Sequence, residues 1–379
     1  MRLRHGWLFF GFVIIEEIIR NMPRSTLLVC LCAVIVSASP QNTRAGMIKA
    51  WGYDSHGQIS GAPTGTNFKA IAAGPTTGLA LDSNGTIAAW GNDEYGLVSN
   101  VPVGNGYIAI AANGFSGFAL DAQGSIVAWG ADNFGLVSNA PTGMGYTAIS
   151  AAGSTAYALD VNGSIVAWGY DGFGQVSNSP IGAGYTAIAA GSLTSFVLDG
   201  DGAIVAWGED AYEAVSHAPV GTGFSAIAAG TYAGYGLDAN ASIAGWGTDF
   251  YGSVSSIPSG SGYTAIAAGF GVAYALASDG SVFAWGLDSQ GQVSGVPTLP
   301  GFAAISAGQS FALALSGDSH PVPEPSSITL IASLAICGGA ILICRHRSHG
   351  AHAVSFDFNH HTPRLPRCAV DVHRKDQLC

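Results

Sequence analysis

The hydrophobic and polar positions of this chain repeat with a period of 39 residues. In the unit that begins at Trp168, the short runs GQVS, YTAIAAG, FVLD and AIVAWG are separated by Gly, Asn, Asp and Pro. Such runs between such breakers predict four antiparallel strands per unit, and the lack of a 3.6-residue period argues against a helical solenoid. The Trp-Gly pairs that mark the seven units begin at Trp51, Trp90, Trp129, Trp168, Trp207, Trp246 and Trp285.

Seven units of four strands predict an all-β fold, a seven-bladed β-propeller of four-stranded blades. The first copy contains only its last strand, MIKAWG (Met47 to Gly52), and the final copy lacks that strand. Pairing of the N-terminal strand with the last blade would close the ring and protect both edges from other chains. We therefore expect a single propeller domain over residues 46–318, with the Ala-rich AIAA runs near its crowded axis.

Several residues recur in all seven copies. Ser stands nine residues after each Trp, Pro twelve after it, and Phe or Tyr seventeen after it. A chemical site is needed only once, so residues that are present seven times are expected to be structural. The Trp and the following Phe or Tyr should fill the space between blades, where a buried ring removes about 150–250 Å² of surface from water.

An aspartate stands three residues after each Trp, and a closed ring would place all seven on one rim. Their side-chain oxygens are expected to cap the next turn by accepting backbone N–H bonds. Seven negative charges on one rim also allow a second role, the binding of cations or of a basic partner. The members of this acidic ring are Asp54, Asp93, Asp132, Asp171, Asp210, Asp249 and Asp288.

Charge and cysteine content narrow the function further. Between Gly46 and Asp318 there are 18 acidic residues against Lys49 and Lys69 alone, so a nucleic-acid backbone would be repelled. All six cysteines lie outside the repeats, which must therefore fold by packing without disulfides or a CxxC metal site.

The N-terminal region, residues 1–45, is expected to be a leader. From Met22 the chain reads MPRSTLLVCLCAVIVSAS, with one Arg, about ten apolar residues and then small residues, the layout of a secretory signal peptide. Met22 is the expected start, and cleavage is expected after Ala38 or Ala45. A buried N-terminal helix is the alternative interpretation.

The C-terminal region begins with Pro323, Glu324 and Pro325, continues with 17 uncharged residues (328–344), and then has Arg345 and Arg347. Seventeen apolar residues are near the short limit for a membrane-spanning helix. This order resembles the PEP-CTERM sorting signal, here residues 319–347. The resemblance implies an exosortase-like processing enzyme as a partner and transient attachment to the inner membrane; a plain anchor is the alternative. Residues 348–379 have no periodicity and are expected to be a disordered tail.

The repeats also resemble a known family. WGxxxxGQ, an AAG run and ALDxxGxIxAWG are similar to the repeat of the regulator of chromosome condensation family, over Ile48 to about Ser316. In that family the implied roles are nucleotide exchange on a small GTPase, chromatin docking and, in a secreted bacterial member, inhibition of β-lactamases. Exchange resides in an inserted loop that these uniform repeats lack, and chromatin docking needs a basic surface. The family's Asn after WGx is Asp here, and its His in AAGxxHS is missing.

The fifth unit departs most from the repeat. Glu209, Asp210, Glu213 and His217 lie within nine residues, and they suggest a divalent-ion or partner site on one rim. Ordinary sequence drift is the alternative. Calcium prefers six to eight oxygen ligands, and three carboxylates on one loop do not ensure that number, so no cofactor or metal is assigned.

No catalytic residues are assigned, because patterns such as GxSxG and HExxH are missing from the repeats. The sequence favours an exported, cell-surface or matrix β-propeller that binds a protein or a polysaccharide without catalysis. Two alternatives stay open. One is an extracellular hydrolase or lyase that uses the loop carboxylates, and the other is an exchange-like regulator of a small GTPase.

Overall fold

The computed structural model describes residues 46–317, which form 21 strands and two short 3₁₀ turns, Asn133–Gly135 and Phe250–Gly252. The first strands are β1 (Ile48–Gly52), β2 (Phe68–Ala73), β3 (Thr77–Asp82), β4 (Ile87–Gly91), β5 (Tyr107–Ala112), β6 (Ser116–Asp121) and β7 (Ile126–Gly130). They are followed by β8 (Tyr146–Ala152), β9 (Thr155–Asp160), β10 (Ile165–Gly169), β11 (Ala187–Ala190), β12 (Thr194–Leu198), β13 (Ile204–Gly208) and β14 (Ala226–Ala229). The last are β15 (Ala233–Leu237), β16 (Ile243–Gly247), β17 (Tyr263–Ala268), β18 (Val272–Ala277), β19 (Val282–Gly286), β20 (Phe302–Ala307) and β21 (Phe311–Ser316).

The strands form seven antiparallel sheets of three strands each, so the predicted four-stranded blade is wrong by one strand. The first sheet contains β2, β3 and β4, which we name its inner, middle and outer strands, and the other sheets repeat this order. The GQVS run, predicted as the fourth strand, forms turns instead. It folds back because Gly174 has φ +75°, a left-handed conformation that glycine adopts readily, and because Asp171 accepts the N–H groups of Val176 and Ser177.

The chain turns at both ends of the strands in each sheet, and we name these two ends the upper edge and the lower edge. At the upper edge the inner and outer strands end and the middle strand begins; at the lower edge the directions are reversed. Backbone bonds join neighbouring sheets along the lower edge, for example from Gly106 N to Asn84 O at 3.0 Å and from Tyr107 N to Gly85 O at 3.1 Å. The same link recurs between later sheets, so all seven lower edges lie on one side of the ring.

The seven tryptophans hold neighbouring sheets together, as the sequence predicts. Each is buried, and its indole N–H donates to a backbone carbonyl in the loop after the outer strand of the preceding sheet, at 2.8–3.0 Å. In six cases the carbonyl lies 32 residues earlier in the chain, and Trp51 reaches Gln292 O across the ring closure. Trp168, for example, donates to Leu136 O and packs edge-on against Phe118 of the preceding middle strand. Among the aromatic residues seventeen after each Trp, Phe68 and Tyr263 are buried. Four more are half-buried and packed against the core between neighbouring sheets, as predicted: Tyr107, Tyr146, Tyr185 and Phe302.

The inner strands surround a central cavity of about 770 Å³. Its wall is made largely of the Ile and Ala side chains of the AIAA runs, such as Ile71, Ala72 and Ala73, as expected for strands at a crowded axis. A glycine follows six of the seven runs, with Asn113 as the exception, and it permits close approach: a Cβ at Gly74 would lie 2.8 Å from Asn113 O of the next sheet. Small residues therefore set the diameter of the ring at its centre.

The ring closes through its first strand. β1 pairs with β21 in antiparallel register, from Ile48 opposite Leu315 to Gly52 opposite Phe311, and it completes the seventh sheet as the outer strand. The predicted closure is confirmed. Gly46 N donates to Phe68 O and Ser316 N donates to Met47 O, so both ends of the described chain lie together at the lower edge.

Other predictions fall outside the described residues. They include the leader at 1–45 with its start at Met22, the tail at 348–379, and the sorting signal at 319–347 with Pro323, Glu324, Pro325, Arg345 and Arg347. The helix predicted over 328–344 belongs to the same group. Within residues 46–317, no helix is long and apolar enough to cross a membrane.

Candidate functional site

The acidic ring lies in the seven upper-edge loops that follow the outer strands. In every loop, Oδ1 of the aspartate accepts the backbone N–H groups five and six residues later, at 2.7–3.1 Å. The turn-capping interpretation is therefore confirmed in all seven copies. Only Oδ1 is used for these backbone bonds, so the second oxygen of each exposed carboxylate is available to another molecule.

Capping also explains why the position carries a charge. The N–H of Ser177, followed by that of Val176, holds the pKa of Asp171 below its ordinary value, since both bonds favour the ionised carboxylate. Hydrogen bonds from the same loop lower the pKa of the other six aspartates. A hydrogen bond to an ionised acceptor is roughly twice as strong as a neutral one, which favours Asp over Asn.

The acidic residues of the fifth unit have separate partners. Glu213 Oε2 lies 3.2 Å from His217 Nδ1, while Glu209 Oε1 accepts the N–H of Ala211 and Asp210 caps its own turn. Glu213 has φ +59°, where the equivalent residue in the other units is glycine. In the part of the chain that the structure describes, no group of three or more His, Cys, Asp or Glu residues is arranged to hold a metal ion.

The upper edge also carries a set of aromatic side chains that the sequence interpretation did not single out. Five consecutive units have an aromatic residue five positions after the Trp, where the other two have His56 and Gln290. Further rings come from neighbouring positions on the same loops and from loops that follow the inner strands. We name this set the aromatic arc: Tyr95, Phe115, Phe134, Tyr170, Phe173, Tyr212, Tyr232, Phe250, Tyr251 and Phe270.

The rings of the aromatic arc contact one another in three groups. Tyr95 packs against Phe115, with ring centroids 5.2 Å apart. Tyr170 lies between Phe134 and Phe173, at 4.9 Å and 5.9 Å. The third group is centred on Tyr232, which contacts Tyr212 at 4.8 Å, Phe250 at 4.9 Å and Phe270 at 5.2 Å, and Tyr251 follows Phe250. Aromatic side chains thus occupy the upper loops around most of the ring.

Much of this aromatic surface faces solvent. Phe134 and Tyr251 are each 55% exposed, and Phe173 is 44% exposed. Phe134 and Tyr251 also have φ of +57° and +60°, a conformation that is strained for bulky residues and costs roughly 1–3 kcal/mol. Exposed rings held at such a cost do not serve the core, and exposed aromatic clusters commonly mark interaction sites.

Both edges are acidic, and the upper edge is the more acidic of the two. The lower-edge turns carry seven aspartates: Asp82, Asp121, Asp160, Asp199, Asp201, Asp238 and Asp279. The upper-edge loops carry ten carboxylates: Asp54, Asp93, Glu94, Asp132, Asp171, Glu209, Asp210, Glu213, Asp249 and Asp288. Lys49 and Lys69, the two cationic residues of the described range apart from histidine, lie near the lower edge as the second residues of β1 and β2. The upper edge therefore combines aromatic surface with a formal charge of about −10.

Comparison with known proteins agrees with the sheet order and the repeat. Residues 68–97 and 263–292 each match the Regulator of chromosome condensation (RCC1) repeat, and each match runs from an inner strand through the outer strand to the capped loop. Among curated proteins, none matches the chain in sequence.

Three solved structures show the same architecture. Yeast RCC1 (Prp20), solved with Kap60, superposes with a TM-score of 0.60 at 17% identity, covering 73% of this chain and 89% of that one. The fold is an RCC1-like β-propeller. Human WBSCR16 gives 0.58 at 13% identity, covering 72% and 99%, and the ectodomain of the Physcomitrella patens receptor kinase CR4 gives 0.53 at 23%, covering 64% and 69%. At these identities the likeness concerns the fold alone.

The lower edge of this RCC1-like propeller differs from the upper edge. Its most exposed apolar side chains are aliphatic, with Val103, Ile181 and Val220 almost fully exposed on separate loops. Single exposed apolar residues of this kind are common on protein surfaces and form no cluster. The aromatic arc is what distinguishes one side of the ring from the other, and the carboxylates beside it outnumber those of the lower edge by ten to seven.

Proposed function

We propose that this chain is a non-catalytic binding module, an exported RCC1-like propeller that holds a protein or a polysaccharide through the aromatic arc. One observation supports this most directly: exposed aromatic rings cluster on one side of a ring whose other repeated residues serve folding. Large, rigid aromatic side chains give contact area at a low cost in conformational entropy. The acidic ring and the fifth-unit residues Glu209, Asp210, Glu213 and His217 would border the same surface.

Catalysis is the less favoured alternative. A hydrolase or lyase of the type considered needs two carboxyl groups facing a substrate, commonly about 5–9.5 Å apart. Glu209 and Glu213 are instead engaged separately, one by a backbone N–H and the other by His217. An exchange-like regulator is disfavoured by the equal spacing of the repeats, which leaves no inserted element.

Export is the second part of the proposal, and it comes from the ends of the sequence. The signal peptide with Met22 as its start would direct the chain out of the cytoplasm, and the 319–347 segment would present it to an exosortase-like enzyme. The intact mass of protein recovered from outside its native cells tests this. We expect loss of the leader and of everything after Pro325; a full-length mass in the cytoplasm would favour an intracellular partner.

Site-specific photo-crosslinking tests the binding role. Phe173 is replaced by p-benzoylphenylalanine, and the matched control carries the same replacement at Gln290, the equivalent position outside the aromatic arc. After irradiation of intact native cells, we expect a discrete covalent adduct from position 173 and none from position 290. Equal labelling at the two positions, or no adduct at either, would contradict a binding role for the arc.

A further inference from the structure

We infer that the aromatic arc recognises a segment rich in Lys and Arg on another protein. This inference rests on the proposed binding role and specifies the chemistry of the partner. It depends on two independent properties of the upper edge that point to the same class of ligand. One is the exposed aromatic surface, and the other is the concentration of carboxylates without a compensating cation.

The aromatic rings provide the first attraction. A guanidinium or ammonium group over the face of Tyr or Phe gains about 0.5–1 kcal/mol at exposed sites and about 2 kcal/mol when desolvated. The exposed Phe134, Phe173 and Tyr251 belong to different units, so their rings are spread along the arc. A segment with several cationic side chains can therefore contact more than one of them, whereas a single residue cannot.

The carboxylates provide the second attraction. Asp93, Asp132, Asp171, Asp210 and Asp249 stand two residues before the five aromatic positions, and each uses only Oδ1 to cap its own loop. Glu94 stands directly before Tyr95 and Glu213 directly after Tyr212. Each exposed ring thus has a carboxylate within two residues in sequence, which is the arrangement that a Lys or Arg side chain needs to use both.

Other partners would use only part of this surface. A neutral polysaccharide could stack on the rings and donate hydroxyl groups to some carboxylates, but it has no positive charge to offset the ten negative charges. An anionic polymer, such as a nucleic acid or an acidic polysaccharide, would be repelled, because the upper loops of the described range contain no Lys or Arg. A basic polypeptide is the class that benefits from both properties, and charge complementarity would also increase its association rate.

Binding of defined peptides to the full chain tests the inference. Fluorescence anisotropy would compare three labelled peptides of equal length, one with alternating Gly and Arg, one with Gly and Glu, and one with Gly and Ser, with dextran as a neutral polysaccharide probe. We expect saturable binding of the Arg peptide alone, weakened by salt because the charges are exposed.

Two matched pairs of variants separate specific binding from attraction to net charge. Phe173→Leu keeps an apolar side chain but removes the ring, and it should weaken Arg-peptide binding by roughly 3- to 30-fold; Gln290→Leu, at the equivalent position, should leave it unchanged. Glu94→Gln should weaken binding, whereas Asp201→Asn, the same charge change at the lower edge, should not. Circular dichroism checks that all four variants stay folded.

The outcomes distinguish this inference from the proposed function. If the four variants bind the Arg peptide alike, attraction is only to net charge and the inference is wrong. If dextran binds and Phe173→Leu abolishes that binding while the Arg peptide does not bind, the arc is a binding site but its partner is neutral. Saturable Arg-peptide binding that depends on Phe173 and Glu94, but not on Gln290 or Asp201, supports the inference.

Discussion

The same residue type, aspartate, stands at seven equivalent points, and the structure shows what each one does. Asp171 and its counterparts terminate the outer strand by turning the chain back on itself, since one carboxylate oxygen accepts two consecutive backbone N–H groups. Because those N–H groups belong to the segment that crosses to the next sheet, the cap also sets where that segment begins. A small polar side chain thus determines the path of about ten residues.

Replacing Asp171 by Asn should destabilise the propeller more at neutral pH than in acid. The folded state lowers the pKa of Asp171, so the ionised carboxylate stabilises the protein at pH values above the pKa of about 3.9 that it has in the unfolded chain. This stabilisation is lost as the pH falls through the lower pKa of the folded state. Urea unfolding at pH 7 and at pH 3 would measure it. We expect the gap in unfolding free energy between the two proteins to narrow at pH 3; a constant gap would show that charge is not the cause.

Residues that are identical in every copy could be understood from the sequence, because seven internal comparisons reveal what each copy needs. This is why the caps and the tryptophans were predicted. The aromatic arc was missed because its members alternate between Phe and Tyr and occur in five units of seven, which resembles drift. The signal was nevertheless present: Tyr95, Phe134, Phe173, Tyr212 and Tyr251 occupy one position, and no packing requirement of a strand falls there.

At the scale of the strand and sheet, the tryptophans form the link between neighbours. Their indole N–H groups reach carbonyls in the preceding unit, and in three cases that carbonyl has a second donor. Tyr157 Oη donates to Gln175 O at 3.0 Å, beside the bond from Trp207, and Tyr235 and Tyr274 do the same for Ser253 and Gln292. Leu136 O, the acceptor of Trp168, has no such second donor among the described side chains.

This difference predicts that Trp→Phe lowers the free energy of unfolding by different amounts at positions 168 and 207. Trp168→Phe leaves Leu136 O buried without a donor, which costs about 1–3 kcal/mol in addition to lost packing. Trp207→Phe loses similar packing but leaves Gln175 O bonded to Tyr157, so it should destabilise less. Chemical denaturation of the two variants measures the contrast. Equal losses would mean that packing alone links the sheets. Tyr157→Phe combined with Trp207→Phe removes both donors to Gln175 O, so this double variant should lose as much stability as Trp168→Phe or more.

The number of strands per sheet shows a limit of pattern reading. GQVS has the alternation of a short strand, but two local interactions decide its structure. Its own glycine has a positive φ, and an aspartate five residues before the Val accepts the N–H of that Val, and both favour a turn. Alternation over four residues is too short to outweigh two specific backbone interactions. Longer runs such as YTAIAAG (263–269) and AIVAWG (203–208) form the predicted strands because each pairs along most of its length.

At the scale of the whole molecule, β1 completes the seventh sheet and closes the ring. We therefore expect the same ring to form when the chain begins at a different point. A circular permutant tests this: residues 46 and 317 are joined by a short glycine linker, and new ends are opened between Gly143 and Met144 on an exposed loop. We expect a melting temperature close to that of the parent, since the seventh sheet keeps all three strands. Removal of residues 46–52 from the parent should instead cause aggregation, because β21 is left as an open edge.

A loss of stability in the permutant comparable to that of the truncation would contradict this view. It would mean that the covalent order of the sheets, rather than completion of the seventh sheet, holds the ring together. The five residue pairs between β1 and β21 favour a permutant that is about as stable as the parent.

The ring closure determines which side of the protein faces a surface to which it is tethered. Since Gly46 and Gly317 both leave the ring at the lower edge, any handle attached to either end emerges on the side opposite the aromatic arc. A propeller immobilised on a sensor surface by such a handle would turn its rings and carboxylates toward the solution. The same geometry would suit display from a larger assembly, with the recognising side directed outward whichever end is tethered.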